Sequence, residues 1–320
     1  MKALVFNKKL ELVAGYEKPV PARDEALVKV LMAGICNTDL EIVRGYQDFR
    51  GIPGHEFVGV VEEVNGQQKE LVGKRVVAEI NCGCGACDFC VKGLKNHCRQ
   101  RRVIGIKGKN GALAEYLTLP VENLFDMPDP VNDEEAVFTE PLAAAFEILE
   151  QVHIKPTDRI AVLGDGKLGL LTAMVLQHSG AKVCLVGKHP EKLALADSSQ
   201  AGTLLLEDLP RDSSFDLVVE ATGSPAGFEL AREILKPRGT LVLKSTVAES
   251  KELNLSSLVV NELTLIGSRC GPFPPAIRAL ENKAVDVKPL ISIIFPANKA
   301  LEAFETAAEK NALKVLVDFR

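Results

Sequence analysis

Tryptophan is absent, and only three Tyr and 13 Phe occur. The lining of a ligand pocket is therefore not readable from aromatic residues. No apolar run approaches the roughly 18 residues of a membrane-spanning helix. No block of like charge stands out in a chain of net charge −5. A nucleic-acid partner and a polybasic membrane attachment are both disfavoured. The N-terminal MKALVFNKKLEL has no long apolar core followed by a small-residue cleavage site, so no signal peptide and a cytoplasmic location are expected. There is no internal repeat and no low-complexity linker. With 47% hydrophobic and 25% charged residues over 320 positions, the chain has the profile of a folded globular protein of about two domains.

The first 125 or so residues read as β-rich. Short Val-rich runs at 26–32 (ALVKVLM), 58–64 (VGVVEEV) and 74–79 (KRVVAE) are separated by Gly. From about Pro141 strand-like and helix-like runs alternate. RIAVL at 159–163 precedes a helical pattern at 167–178, and KVCLV at 182–186 precedes a second at 190–196. Further strands are expected at 203–206, 215–220, 239–243 and 263–266. Six strands with helices between them predict an α/β, doubly wound parallel sheet. The end of the chain reads as a helix at 299–310 and a strand at 313–319.

Gly164-Asp-Gly166-Lys167-Leu168-Gly169 follows RIAVL directly and opens a helical run. The spacing is G-x-G-x-x-G. Gly164 permits the tight turn, Gly166 the approach of a pyrophosphate, and Gly169 close helix–strand packing. The phosphates then face free N–H groups at the positive end of the helix. At the end of the second strand an NAD-binding unit usually carries Asp or Glu for the ribose hydroxyls. Here Gly187 stands at that place, followed by Lys188 and His189. A small neutral residue beside a cation leaves room for a 2′-phosphate, so NADP is expected in preference to NAD.

Of the eight Cys, five fall between 82 and 98. In a long chain expected in the cytoplasm this density signals metal rather than disulfides. Cys84, Cys87, Cys90 and Cys98 have the spacing C-x-x-C-x-x-C-x7-C, which closes a tetrahedron of thiolates around a structural Zn2+ and leaves no position for substrate. Cys82 is a fifth thiol, an alternative ligand or a bystander, and bystander is favoured.

Cys36-x-Thr38-Asp39, Gly54-His55-Glu56-x-x-Gly59, the four-cysteine lobe, Glu140-Pro141-Leu142, the glycine loop, Ala221-Thr222-Gly223 and the closing Lys314-Val-Leu-Val-Asp-Phe319 together resemble the zinc-dependent medium-chain dehydrogenases, in particular the sorbitol and threonine dehydrogenase branch of the alcohol dehydrogenases. The resemblance implies a Rossmann-type domain at 143–268, inserted in a GroES-like catalytic domain formed by 1–142 and 269–320, with the zinc lobe at 82–98. It implies one catalytic and one structural zinc per chain. Cys36 and His55 match the first two catalytic-zinc ligands. Glu140 matches a position that is Cys in liver-type enzymes and Glu in sorbitol-type ones, and Glu56 matches an acid that binds the zinc when water or substrate leaves. Thr38 matches the hydroxyl that relays the alcohol proton. Lys314 matches a basic contact to the cofactor pyrophosphate, and Thr222 lies in a turn matched to the nicotinamide side. Glu41 departs from the pattern, since liver-type enzymes have a His there. The chain is also shorter than typical members, which implies a more open substrate pocket.

The implied reaction is reversible hydride transfer between an alcohol, polar and secondary by the Glu140 branch, and NAD(P), with zinc as Lewis acid. A homodimer or homotetramer is implied as well. Two other readings compete. A zinc-free quinone-reductase-like enzyme would lack Cys36, His55 and Glu140. A non-catalytic NADP-binding protein would have no use for Thr38 beside those ligands. Two zinc per chain would favour the dehydrogenase, and one would favour either alternative.

Overall fold

The computed structural model describes residues 1–197, 201–245 and 255–320. The chain forms two compact units, one of Met1–Glu140 with Ala276–Arg320 and one of Pro141–Pro275.

The first unit opens with a hairpin of β1 (Ala3–Asn7) and β2 (Lys9–Val13). The long β3 (Glu25–Ile35) follows, then the short helix α1 (Asn37–Val43), β4 (Glu56–Asn65) and β5 (Arg75–Ala78). The cysteine lobe carries β6 (Asn81–Cys82), α2 (Asp88–Val91), β7 (Arg102–Ile104) and β8 (Gly108–Lys109). After it come β9 (Tyr116–Pro120), β10 (Leu124–Asp126) and α3 (Asp133–Ala136). Helix α4 (Thr139–Gln151) starts at the unit's edge.

β3 is the spine of this unit. Ala26, Val28, Val30, Met32, Ala33 and Ile35 are all fully buried, as an apolar strand covered on both sides requires. It pairs antiparallel with β4 and β9. The strand runs past the expected 26–32 because Ala33, Gly34 and Ile35 still have partners, on β4 and on the C-terminal strand.

The second unit contains β11 (Arg159–Leu163), α5 (Lys167–Leu176), β12 (Lys182–Gly187), α6 (Pro190–Asp197), β13 (Gly202–Leu205), β14 (Phe215–Glu220), α7 (Pro225–Ile234), β15 (Leu235–Leu243), α8 (Ser256–Val260) and β16 (Thr264–Gly267). The strands lie in the order β13-β12-β11-β14-β15-β16, and every neighbouring pair is parallel. The order reverses at β11, so the sheet is doubly wound, as expected. β11 reads RIAVL without alternation because four of its five residues are buried. All residues of α5 from Gly169 to Leu176 are buried, so it is apolar all round. α7 starts on a Ser224 cap with Pro225 in its first turn. β15 begins four residues before the expected strand, and its register with β14 shifts across Lys236-Pro237.

The last segment, α9 (Phe273–Glu281), β17 (Ile291–Pro296), α10 (Ala300–Ala307) and β18 (Lys314–Asp318), mostly returns to the first unit. β18 inserts beside β3, with Val315 opposite Ile35 and Leu316 opposite Gly34, and Gly34 in turn faces Glu56. Three strand ends therefore meet at one place: the end of β3, the start of β4 and the start of β18. No described helix is long and apolar enough to cross a membrane.

Candidate metal centres and cofactor site

Cys36 caps the start of α1, immediately after β3. His55 precedes β4 and Glu56 begins it. Gly54 turns the chain with φ +95°, and a Cβ there would lie 2.7 Å from the Leu113 side chain. Only glycine fits that turn, which delivers His55 inward. One donor atom from each of Cys36, His55 and Glu56 lies within 4.8 Å of the others. His55 and Glu56 are buried.

Asp39 holds this cluster from behind. Oδ2 accepts from the Cys36 amide at 2.8 Å and Oδ1 from the Gly54 amide at 2.9 Å. Oδ1 also lies 3.3 Å from His55 Nδ1, at ion-pair distance though not aligned as a hydrogen bond. Burial alone would raise the Asp39 carboxyl, but His55 and the two amides hold it below the usual carboxylate range. Burial would lower His55, yet Asp39 and then Cys36 hold it well above the ordinary imidazole value. Asp39 stood inside the quoted motif, but its role was not read from it. The contact to Gly54 spans 15 positions and needs the fold.

Glu56 faces two ways. Oε2 forms a buried ion pair with the Lys314 ammonium, and Oε1 is buried without a hydrogen-bond partner among the described residues. An orphaned carboxylate oxygen costs free energy unless something cationic reaches it. A thiol, an imidazole and an acid converging there suit Zn2+, so the residues fit the ion. Lys314, matched by the resemblance to a pyrophosphate contact, is 1% exposed at the start of β18. The pairing of β18 with β3 carries it to the same strand ends as Glu56. Burial opposes its charge, but Glu56 and then Cys36 raise its pKa.

Glu140, in the first turn of α4, lies outside the tight three-residue set. It is half-buried all the same, and desolvation there pushes its carboxyl up to about 7, with Glu56 adding to the rise against the opposing charges of His55 and Lys314. Thr38 Oγ1 lies 3.8 Å from Cys36 Sγ. Glu41 is paired to Arg44 at 2.7 Å on the surface.

The sulfurs of Cys84, Cys87, Cys90 and Cys98 likewise lie within 4.8 Å of one another. Cys87 and Cys98 sulfurs are 3.8 Å apart. Amides of Cys84 and Gln100 donate to Cys98 Sγ, and that of Cys87 donates to Cys84 Sγ, at 3.3–3.4 Å. Amide donors to Cys87 lower it to about 6, while burial and neighbouring thiols raise Cys90 to about 11. Four adjacent thiols cannot all ionise without a cation between them. Cys82 is buried on β6 outside this set, and burial raises its thiol to about 11. None of the eight Cys is joined in a disulfide.

In the second unit Gly164 has φ +114°, and a Cβ on it would sit 2.7 Å from Ala221 O. A Cβ on Gly169 would fall 1.8 Å from Gly164 O, so the loop and α5 need both glycines. Gly166 faces open space, and Lys167 and Leu168 form the first turn of α5. This is a cradle a dinucleotide fits. Thr222 donates to Glu220 Oε1 through its amide and hydroxyl, at 2.7 and 2.5 Å, which pins the Ala221–Gly223 turn against Gly164. Gly187 ends β12, and just beyond it Asp165 accepts from both the Lys188 and His189 amides. Neither Asp165 nor Glu220 was singled out from the sequence, since each acts only through the strand end beside it.

Two family models match the chain: Alcohol dehydrogenase GroES-like domain over residues 22–129 and Zinc-binding dehydrogenase over 168–284. The D-arabitol-phosphate dehydrogenase of Enterococcus avium is 30% identical over 94% of this chain and 91% of its own. A zinc-binding dehydrogenase from Sinorhizobium meliloti 1021, solved bound to NADP, superposes with TM-score 0.90 at 28% identity, over 99% of both chains. The Escherichia coli CFT073 protein described as a short chain alcohol dehydrogenase (rspB), solved with NADH, superposes with TM-score 0.92 at 28% identity, over 100% of this chain and 99% of that one. The chain belongs to the zinc-type medium-chain alcohol dehydrogenases, NAD(P)-dependent oxidoreductases with a GroES-like and a Rossmann-like domain.

Proposed function

We propose that this protein oxidises a polar secondary alcohol, reversibly, with NADP preferred over NAD. The observation that carries the reading is the convergent Cys36–His55–Glu56 set, with His55 and Glu56 buried, backed by Asp39 and Lys314. Zinc held there supplies a Lewis acid that favours loss of the alcohol proton, and the cofactor supplies the hydride acceptor.

The chain's own residues do the rest. Asp39 fixes the His55 ring and the turn that carries it. Glu56 and Glu140 are the two carboxylates that can complete or vacate the ligand shell, and a catalytic site needs such a vacancy. Lys314, already paired with Glu56, would hold that carboxylate whenever it did not serve as a ligand. Thr38 passes the substrate proton outward. The four-cysteine lobe holds the structural zinc. Gly164, Gly166 and Gly169, with Lys167, Leu168 and Thr222, seat the dinucleotide, and Gly187, Lys188 and His189 receive its adenosine end.

Polyol chemistry is supported by relatives named for arabitol phosphate, sorbitol and erythritol or L-threitol dehydrogenation. We assign the catalytic domain to 1–142 and 269–320 and the nucleotide domain to 143–268, in a cytoplasmic homodimer or homotetramer. A screen of polyols, their phosphates and simple alcohols, each with NADP and NAD and followed by cofactor absorbance, tests the reading beside a metal count. Two zinc per chain and turnover of a polyol are expected. A single zinc with no alcohol turned over would overturn it.

A further inference from the structure

We propose that Asp165 is a specificity-positioning residue, which builds the 2′-phosphate corner by occupying the space that the strand-end acid of an NAD-binding unit would use. The proposal rests on the NADP reading above.

A Cβ on Gly187 would lie 2.4 Å from Asp165 Oδ2, 2.5 Å from its Cβ and 2.6 Å from its Cγ. The side chain of Asp165 therefore fills the place where any side chain at 187 would go. Gly187 is required by Asp165 as much as by a ligand. The carboxyl group at this corner comes from the second position of the glycine loop, not from the end of β12.

From there it turns toward the protein. Oδ2 accepts from the Lys188 amide at 2.6 Å and from the His189 amide at 2.8 Å, and it lies 3.0 Å from His189 Nδ1. Burial works against its charge, but these three donors hold the carboxyl below its usual range. A carboxylate aimed outward would repel a phosphate. One whose oxygen is committed to two amides and a ring nitrogen instead fixes the backbone of the next two residues. Lys188 is left exposed and His189 half-exposed at the end of β12, and an exposed lysine beside an imidazole is a phosphate-binding pair.

The arrangement predicts that Asp165 acts through Lys188 and His189, not by touching the cofactor. The test uses adenosine 2′,5′-bisphosphate and 5′-AMP as probes, titrated calorimetrically into the zinc-loaded protein. The wild type is expected to bind the bisphosphate at least about tenfold more tightly. Equal affinity in the wild type would overturn the NADP reading, independently of any variant. Asp165→Ala is expected to cut that preference about tenfold, the scale of lost charge-assisted hydrogen bonds, with little change in 5′-AMP binding. Should Asp165→Ala fail to fold, Asp165→Asn, which keeps one acceptor oxygen, is read in its place with an expected loss of about threefold. In a Lys188→Ala/His189→Ala background, Asp165→Ala is expected to change nothing further. A preference that is unchanged or increased in Asp165→Ala, or an undiminished further loss in the double-variant background, would overturn the positioning role while leaving the cofactor reading intact.

Discussion

Lys314 and Glu56 form an ion pair in which both side chains are 1% exposed, although 258 positions separate them in sequence. The space around the pair is fully used. A Cβ on Gly34 would lie 2.6 Å from Glu56 Oε2 and 3.3 Å from Lys314 Cδ. Removing one member of a buried pair leaves the other as an uncompensated charge, at a cost of about 3–5 kcal/mol. Lys314→Met is therefore expected to lower the stability of the zinc-free protein by about that much, measured by urea unfolding. Added zinc should restore more stability in the variant than in the wild type, because the ion gives Glu56 a new counter-charge. Equal stability of variant and wild type without zinc would show that Glu56 does not depend on Lys314.

Asp39 is fully buried and contacts both Cys36 and His55. Partners of this kind are worth about 10–100-fold in metal affinity. Asp39→Asn keeps the shape and one acceptor oxygen but loses the charge facing the imidazole. Competition with a chromophoric chelator should show weaker binding of one zinc by a factor in that range, with the lobe zinc unaffected. Unchanged affinity at both sites would mean that Asp39 supports only the turn.

Much of this was legible before the fold. The glycine loop announces itself because turn, strand and helix are contiguous, and the lobe because its four thiols lie within 15 positions. Cys36, His55 and Glu140 are scattered, and neither composition nor periodicity unites them; only the family pattern did. The pairing of Lys314 with Glu56 was not legible for a physical reason. The surroundings of Lys314 are set by β18 pairing with β3, a contact that no local pattern encodes. Asp165 stayed hidden because it occupies a variable position of a motif read for its glycines. The start of β15 was missed because Lys236-Pro237 reads as a break, whereas the strand absorbs it as a register shift.

The four-cysteine lobe should fold by titration as well as by metal. Metal binding requires all four sulfurs as thiolates. At pH 7.5 Cys87, lowered to about 6, is largely ionised already, whereas Cys90, raised to about 11, still holds its proton. Zinc addition to the apo lobe in weak buffer with a pH indicator should release fewer than four protons per ion, with Cys90 among their sources. Cys90→Ser should lower that number and reduce lobe zinc affinity more than Cys82→Ser, since Cys82 lies outside the set. Chelation should loosen residues 82–98 to proteolysis before the six-stranded sheet melts. Equal effects of the two substitutions would argue that Cys82 is a ligand after all.

Glu140 gives the metal site a pH signature. Burial pushes its carboxyl from 4.5 to about 7 in the folded protein, while in the unfolded chain it keeps its ordinary value. Between those two values the folded state holds a proton that the unfolded state has lost. Stability then falls as pH rises, because the unfolded state binds fewer protons. The contribution is fully present below pH 4.5 and is lost as pH passes through 7, for a total of order 3 kcal/mol. Glu140→Gln cannot ionise, so subtracting its stability curve from that of the wild type isolates this residue from His55 and Asp39, which titrate in both. In zinc-free protein the wild type should lose stability relative to the variant from pH 4.5 to 7. If Glu140 joins the ligand shell, zinc should abolish or reverse that slope, since a metal draws out the carboxylate form. Parallel curves without zinc would mean that the carboxyl is solvated; a slope that zinc leaves untouched would mean that Glu140 is buried beside the metal without binding it.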